Sequence, residues 1–228
     1  MEIMMTNANS NRTSRYPALL LGAALMFVTG MASTGAMDVS PSPVSPSHAA
    51  FLENLSAQCG QAFPGRLRVT DDLPGDLPDT DHLLVHFRSC NADEILIPFH
   101  AEDNNADAGW DRSRTWFVTV VEQGLELRHD HREADGSESG RTWYGGYSIG
   151  QGSASRQDFH SPERTWAARM PVGWRIEIHP GEVYRYGTIA NDEFTWMIEF
   201  DLSRPIPVAE IPRVWGHDVP PTRIPGPP

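Results

Sequence analysis

One stretch, "DEFTWMIEFDLS" (Asp192 to Ser203), constrains the fold more than any other. Phe194, Trp196, Ile198 and Phe200 fall on one parity, and Thr195, Met197, Glu199 and Asp201 on the other. A strand turns successive side chains to opposite faces, so this alternation describes a strand with one buried and one wet face. The same period governs most of the chain. In "HLLVHFRSC" (His82 to Cys90), Leu83, Val85 and Phe87 alternate with Leu84, His86 and Arg88. "RTWFVTVVEQGLELRHDHR" (Arg114 to Arg132) reads as a hairpin with a three-residue "EQG" connection. "TWYGGYSI" is a further strand, and "WRIEIHPGEVYRYGTI" is a second hairpin turning at Pro180-Gly181. "EILIPFHAE" carries Pro98 and so reads as an edge or bulged strand. Residues 150–173 read as a long polar loop with a short helical turn.

Only "HAAFLENLSAQCGQAF" (His48 to Phe63) shows helical spacing, with Phe51, Leu52 and Leu55 on one face and Gly60 able to close it. Roughly eight to ten antiparallel strands in a meander, preceded by one short helix, predict an all-β domain. The expected form is a calycin-like closed barrel; the alternative is a β-sandwich. Such barrels often hold a small ligand in the mouth.

The N-terminus has the parts of a secretory signal: Arg12 and Arg15, an apolar run from Tyr16 to Ala32, then small residues. Cleavage after Ala36 is expected. The apolar run is short for a bilayer span. Residues 37–48 form a Ser/Pro-rich linker, 49–216 a single β domain, and 217–228 a disordered Pro-rich tail. The expected location is periplasmic or extracellular, with no membrane anchor after cleavage. In such a compartment Cys59 and Cys90, the only cysteines, are expected to pair; the alternatives are two buried free thiols or a thiol nucleophile. That disulfide would stabilise by about 3 kcal/mol on the chain-entropy model.

The formal net charge is −12, which disfavours nucleic acid and anionic membranes as partners. All 18 basic residues are arginine, so chemistry that needs lysine is excluded. No nucleophile elbow, phosphate loop or zinc-protease helix motif is present, and no catalytic residue is assigned.

The candidate site lies in "LRHDHREADG" (Leu127 to Gly136). Leu125, Leu127, His129 and His131 share one face of a strand, with the leucines toward the core. Glu126, Arg128, Asp130 and Arg132 share the other and should form an outward ladder of cross-strand ion pairs. Two imidazoles two residues apart can chelate a divalent metal. Asp135 is the expected third ligand, with His86, His100, His160 or His179 as substitutes. Alternatively the histidines line a ligand pocket with Tyr144, with Arg112 or Arg114 for an anionic group and Trp116 as a stacking platform. A third reading leaves them as the wet rim of the barrel.

His129, His131 and Asp135 resemble the cupin metal motif in part. The acid is Asp instead of Glu, the preceding Gly124 is misplaced, and Ile176 stands where the second cupin motif has histidine. Over residues 49–216, "SRTW", "LRHDHREADG", "WYGG", "WRIEI" and "EFDLSRPI" resemble an uncharacterised family of secreted bacterial proteins. That resemblance implies export and a shared fold, and implies no activity or catalytic residue. The expected function is a non-enzymatic small-molecule-binding or envelope-associated module. The alternatives are a metal-dependent enzyme at His129/His131 and a structural envelope component.

Overall fold

A computed structural model describes residues 44–71, 77 and 80–224. The expected signal segment, the expected linker through Pro43 and the last four residues of the tail lie outside the described residues. The elements are α1 (Pro46–Ser56), β1 (Ala62–Val69), β2 (Leu83–His86), β3 (Ser89–Cys90), β4 (Glu94–Glu102), β5 (Trp110–Val121) and β6 (Gly124–His131). They continue with β7 (Tyr144–Ser148), β8 (Arg156–His160), α2 (Pro162–Ala168), β9 (Val172–His179), β10 (Val183–Ala190) and β11 (Glu193–Asp201). The strands run in the order β2-β1-β11-β10-β9-β8-β7-β6-β5-β4, and β2 pairs with β4. This closes a ten-stranded antiparallel barrel, with β3 as a short extra pairing on β4. The barrel expectation holds and the sandwich does not.

Helix α1 begins inside the serine–proline stretch. Pro46 occupies its first turn, and the Ser45 hydroxyl accepts from the His48 amide at 3.1 Å. Phe51, Leu52 and Leu55 are buried beneath it. The His48 ring reaches the carbonyl of Gly150, so α1 covers the end of the barrel that carries the β7–β8 loop. Cys59, just past the helix, is bonded to Cys90 on β3. The opposite end carries the last residues of β6 and the first of β7. Between the ends the lumen is filled with rings: Trp116 stacks on Tyr186 at 4.0 Å and on Phe99 at 5.2 Å, and Phe99 meets Phe200 edge-on.

Local departures from simple alternation have physical causes. Strand β1 was not singled out from the sequence, and Pro64 and Gly65 lie within it. A Cβ at Gly65 would sit 2.2 Å from the Phe200 ring, so the ring occupies the space a side chain would need. Strand β8 lies within the expected polar loop; only Gln157 and Phe159 are fully buried there. Pro98 is not on an edge. It falls where β4 passes from β2, last paired at Phe99, to β3, first paired at Leu96. The bulge expected there is present on the β5 side, between Phe99 and Ala101. The β5–β6 turn holds two residues, Glu122 and Gln123, with Val121 paired to Gly124, instead of the expected three. On β11 a bulge between the pairs Thr188–Trp196 and Ile189–Phe194 flips Phe194 to the outer face. Arg175 covers it there at 5.3 Å.

The proline-rich tail is irregular where it is described, and it is attached to the barrel. The carbonyl of His217 accepts from Arg88, that of Val219 from Arg132, and the Thr222 amide donates to Glu138. Arg223 pairs with Glu94 at 2.8 Å.

Candidate functional site

Register assembles the site. In antiparallel pairs, directly opposite residues share a face. His129 lies opposite Trp116 on one side and Tyr144 on the other, and His131 lies opposite Arg114. Leu125, Leu127, His129 and His131 are all buried, as the alternation predicts for one inward row. The two histidines lie at the end remote from α1.

His129 is enclosed by aromatic rings: Tyr144 stacked at 4.5 Å, Trp174 at 4.9 Å and Tyr186 at 5.9 Å. Its Nδ1 faces the Tyr144 carbonyl at 3.0 Å. A carbonyl only accepts, so Nδ1 carries the proton and Nε2 accepts from the Tyr186 hydroxyl. Burial holds the imidazole well below its ordinary pKa, and His131 and Arg164 add to the effect. The ring is therefore neutral at pH 7, and burial likewise keeps the Tyr186 phenol protonated. His131 Nε2 meets the Tyr144 hydroxyl at 3.1 Å, which links the two histidines through one tyrosine.

These residues do not fit a metal centre. A metal at His129 would have to displace the Tyr186 hydroxyl. Asp135 is exposed in its turn and accepts from the Ser137 amide and hydroxyl at 2.9 and 2.6 Å. Among the described residues no group of three or more His, Cys, Asp or Glu is placed to hold a metal ion, so Asp135, His86, His100, His160 and His179 do not complete the pair. The cupin-like reading fails on this donor set.

Trp116 is buried between Phe99 and Tyr186 and offers no open face for a ligand to stack on. Arg114 bonds the Asp111 carboxylate and the Ser113 hydroxyl. Arg112 lies over the Trp215 ring at 5.6 Å, on the side covered by the tail. The outward ladder is present but largely buried, and one of its pairs is cross-strand, from Arg132 to its bridge partner Glu138 at 3.6 Å. Arg128 pairs with Glu126, and Arg132 with Asp130, along the same strand. Arg128, Asp130 and Arg132 are buried, Arg132 partly by the tail residue Val219.

The opening lies beside the histidines instead of above them. β7 pairs with β6 from Tyr144 to Tyr147, but with β8 only at Tyr147 and Ser148. After His160 the chain leaves the sheet and forms α2. Tyr144, Gly145 and Gly146 therefore lie beyond the β7–β8 ladder and border a cavity of about 280 Å³. A Cβ at Gly145 would lie 1.8 Å from the Leu127 carbonyl oxygen, and one at Gly146 1.9 Å from that of His160. Only glycine permits this approach of the strands. Trp143, Tyr147, Trp174 and Arg164 form further walls. Trp143 has φ 57°, a left-handed conformation that costs about 1 kcal/mol or more for such a residue. The Arg164 guanidinium lies 4.8 Å from the Trp174 ring centre and 5.5 Å from that of Tyr144.

Of the residues expected at a ligand site, Tyr144 lines this cavity and His129 and His131 stand behind it. Trp143, Trp174, Arg164 and Tyr186 were not singled out from the sequence. Trp174 and Tyr186 carried the signal of strand alternation, whereas Arg164 lay in a polar stretch without pattern. A second cavity of about 270 Å³ lies under the tail, bounded by Arg88, Asp130 and Trp215. Asp130 is already bonded to Arg132 there.

No family model, no curated protein and no solved structure matches the chain. The resemblance to secreted bacterial proteins thus adds no residue roles to this geometry. No helix among the described residues is long and apolar enough to cross a membrane.

Proposed function

We propose that the chain is an exported, non-enzymatic binding module that takes a small molecule into the flank of its barrel, between β7 and α2. One observation carries the reading: two rings of the inward rows, Tyr144 and Trp174, form walls of an open cavity where the β7–β8 ladder stops. A closed barrel with aromatic walls and few polar groups is a common ligand-binding design. The signal-like N-terminus and the Cys59–Cys90 disulfide support export. The neutral His129, bonded at both nitrogens, acts here as part of the wall and not as an acid, base or metal ligand.

Native mass spectrometry of the full chain purified from periplasmic expression tests the reading. The expected result is a bound small molecule, or one acquired from an envelope metabolite set and lost on denaturation. Failure of every member of such a set to bind, by mass or by calorimetry, would contradict it.

A further inference from the structure

Arg164 stands apart from the arginines in the barrel wall. Arg128, Arg132, Arg175 and Arg185 are each ion-paired with a carboxylate. Arg164 has no ion pair or hydrogen bond with any described residue; its described partners are the faces of Trp174 and Tyr144. A guanidinium stacked on rings has its faces occupied and its N–H groups directed outward in its own plane. Those donors match a planar oxyanion, which can accept two parallel bonds. Arg164 also lines the 280 Å³ cavity, so a cation ready for an anion stands at the rim of an aromatic pocket.

Two neighbours narrow the class. Glu163 lines the same cavity, and a second negative charge on the ligand would meet its carboxylate. Arg128 also lines it, but its charge is answered by Glu126 at 2.6 Å. Of the two arginines that line the cavity, Arg164 is the one with no ion pair among the described residues. Its volume is at the small end for a ligand pocket, and Trp143, Tyr144 and Trp174 give it flat apolar walls.

Resting on the binding reading above, we propose that this cavity selects a compact monocarboxylate with a flat or acyl apolar body, and that Arg164 clamps the carboxylate. Loss of the clamp is cheap for the fold, because α2 is short, exposed and lacks a buried residue. That separates recognition from stability.

The experiment titrates the full chain with benzoate, hexanoate, neutral benzamide and inorganic phosphate. Calorimetry and tryptophan fluorescence follow binding, since Trp143 and Trp174 line the cavity. A carboxylate should bind about tenfold or more tighter than benzamide, because a charge-assisted pair is lost in the amide. Arg164→Ala should remove that preference and leave the melting temperature unchanged, because α2 buries no residue. Arg164→Lys should restore only part of it, since lysine keeps the charge without the planar fork. Equal binding of benzamide and benzoate would overturn the monocarboxylate class and leave the binding reading standing. So would tighter binding of phosphate, or a carboxylate preference that survives in Arg164→Ala. Binding of none of the four probes would overturn the class, and a metabolite screen that also failed would remove the binding reading with it.

Discussion

The two ends of the barrel share strands and alternation, yet they bury different chemistry. Under α1 the inward residues are apolar: Phe51, Leu55, Phe63, Phe87, Ile178 and Phe200 are fully enclosed. The Tyr184 hydroxyl, His48 Nδ1 and Gln157 Oε1 are buried there without a partner among the described residues. At the far end the inward positions of the same strands carry Arg114, His129, His131, Tyr144, Tyr186 and Trp196. The Trp196 indole N–H is buried without a partner among the described residues, and Trp143 holds a left-handed backbone. Unpaired buried donors cost about 1–3 kcal/mol each. The inward surface of the capped end is thus mainly apolar, whereas the far end keeps charged side chains and a strained backbone around an opening. Folds concentrate such costs where a surface has another use.

The sharpest way to break the contrast is a truncation under α1. Phe200→Ala should cost about 3–5 kcal/mol in urea unfolding, since the ring also covers Gly65. A cost below about 1 kcal/mol would show that this end is loosely packed. Replacing Cys59 and Cys90 together by serine should cost about 2–4 kcal/mol, because the bond ties the end of α1 to β3. A double variant as stable as the parent would remove the staple from the account.

The histidines give the contrast a pH signature. Burial holds His129 well below its ordinary pKa and pushes His100, on β4, down to about 3. Their folded values lie below the unfolded value of about 6.5, so the unfolded chain binds protons that the folded chain refuses. Stability from this source is complete above pH 6.5. It is lost as pH falls from there toward the folded values, by about 1.4 kcal/mol per pH unit for each histidine in its window. Denaturant melts between pH 7 and 4 should show this decline, and His129→Gln should flatten it. An unchanged slope in that variant would mean that His129 is hydrated or protonated in the fold.

The barrel was legible because the alternation is long and nearly unbroken. It placed Leu125, Leu127, His129 and His131 on one face, and cysteine arithmetic gave the disulfide. The failures share a cause: pairing between strands is invisible in a single strand's pattern. One bulge reverses Phe194, a change of partner admits Pro98 in mid-sheet, and the Phe200 ring lets Pro64-Gly65 sit in a strand. The buried state of Arg128, Asp130 and Arg132 depends partly on a distant tail crossing the outer face. The cavity itself exists because β8 leaves β7 early, so Arg164 reaches rings from β7 and β9 that lie far from it in sequence.

The most direct measurement is a crystal structure of the full chain soaked with benzoate. Ring density is expected against Tyr144 and Trp174 between β7 and α2, with the carboxylate on Arg164 and the His129–Tyr186 bond undisturbed. An empty flank, with benzoate elsewhere or nowhere on the molecule, would contradict it.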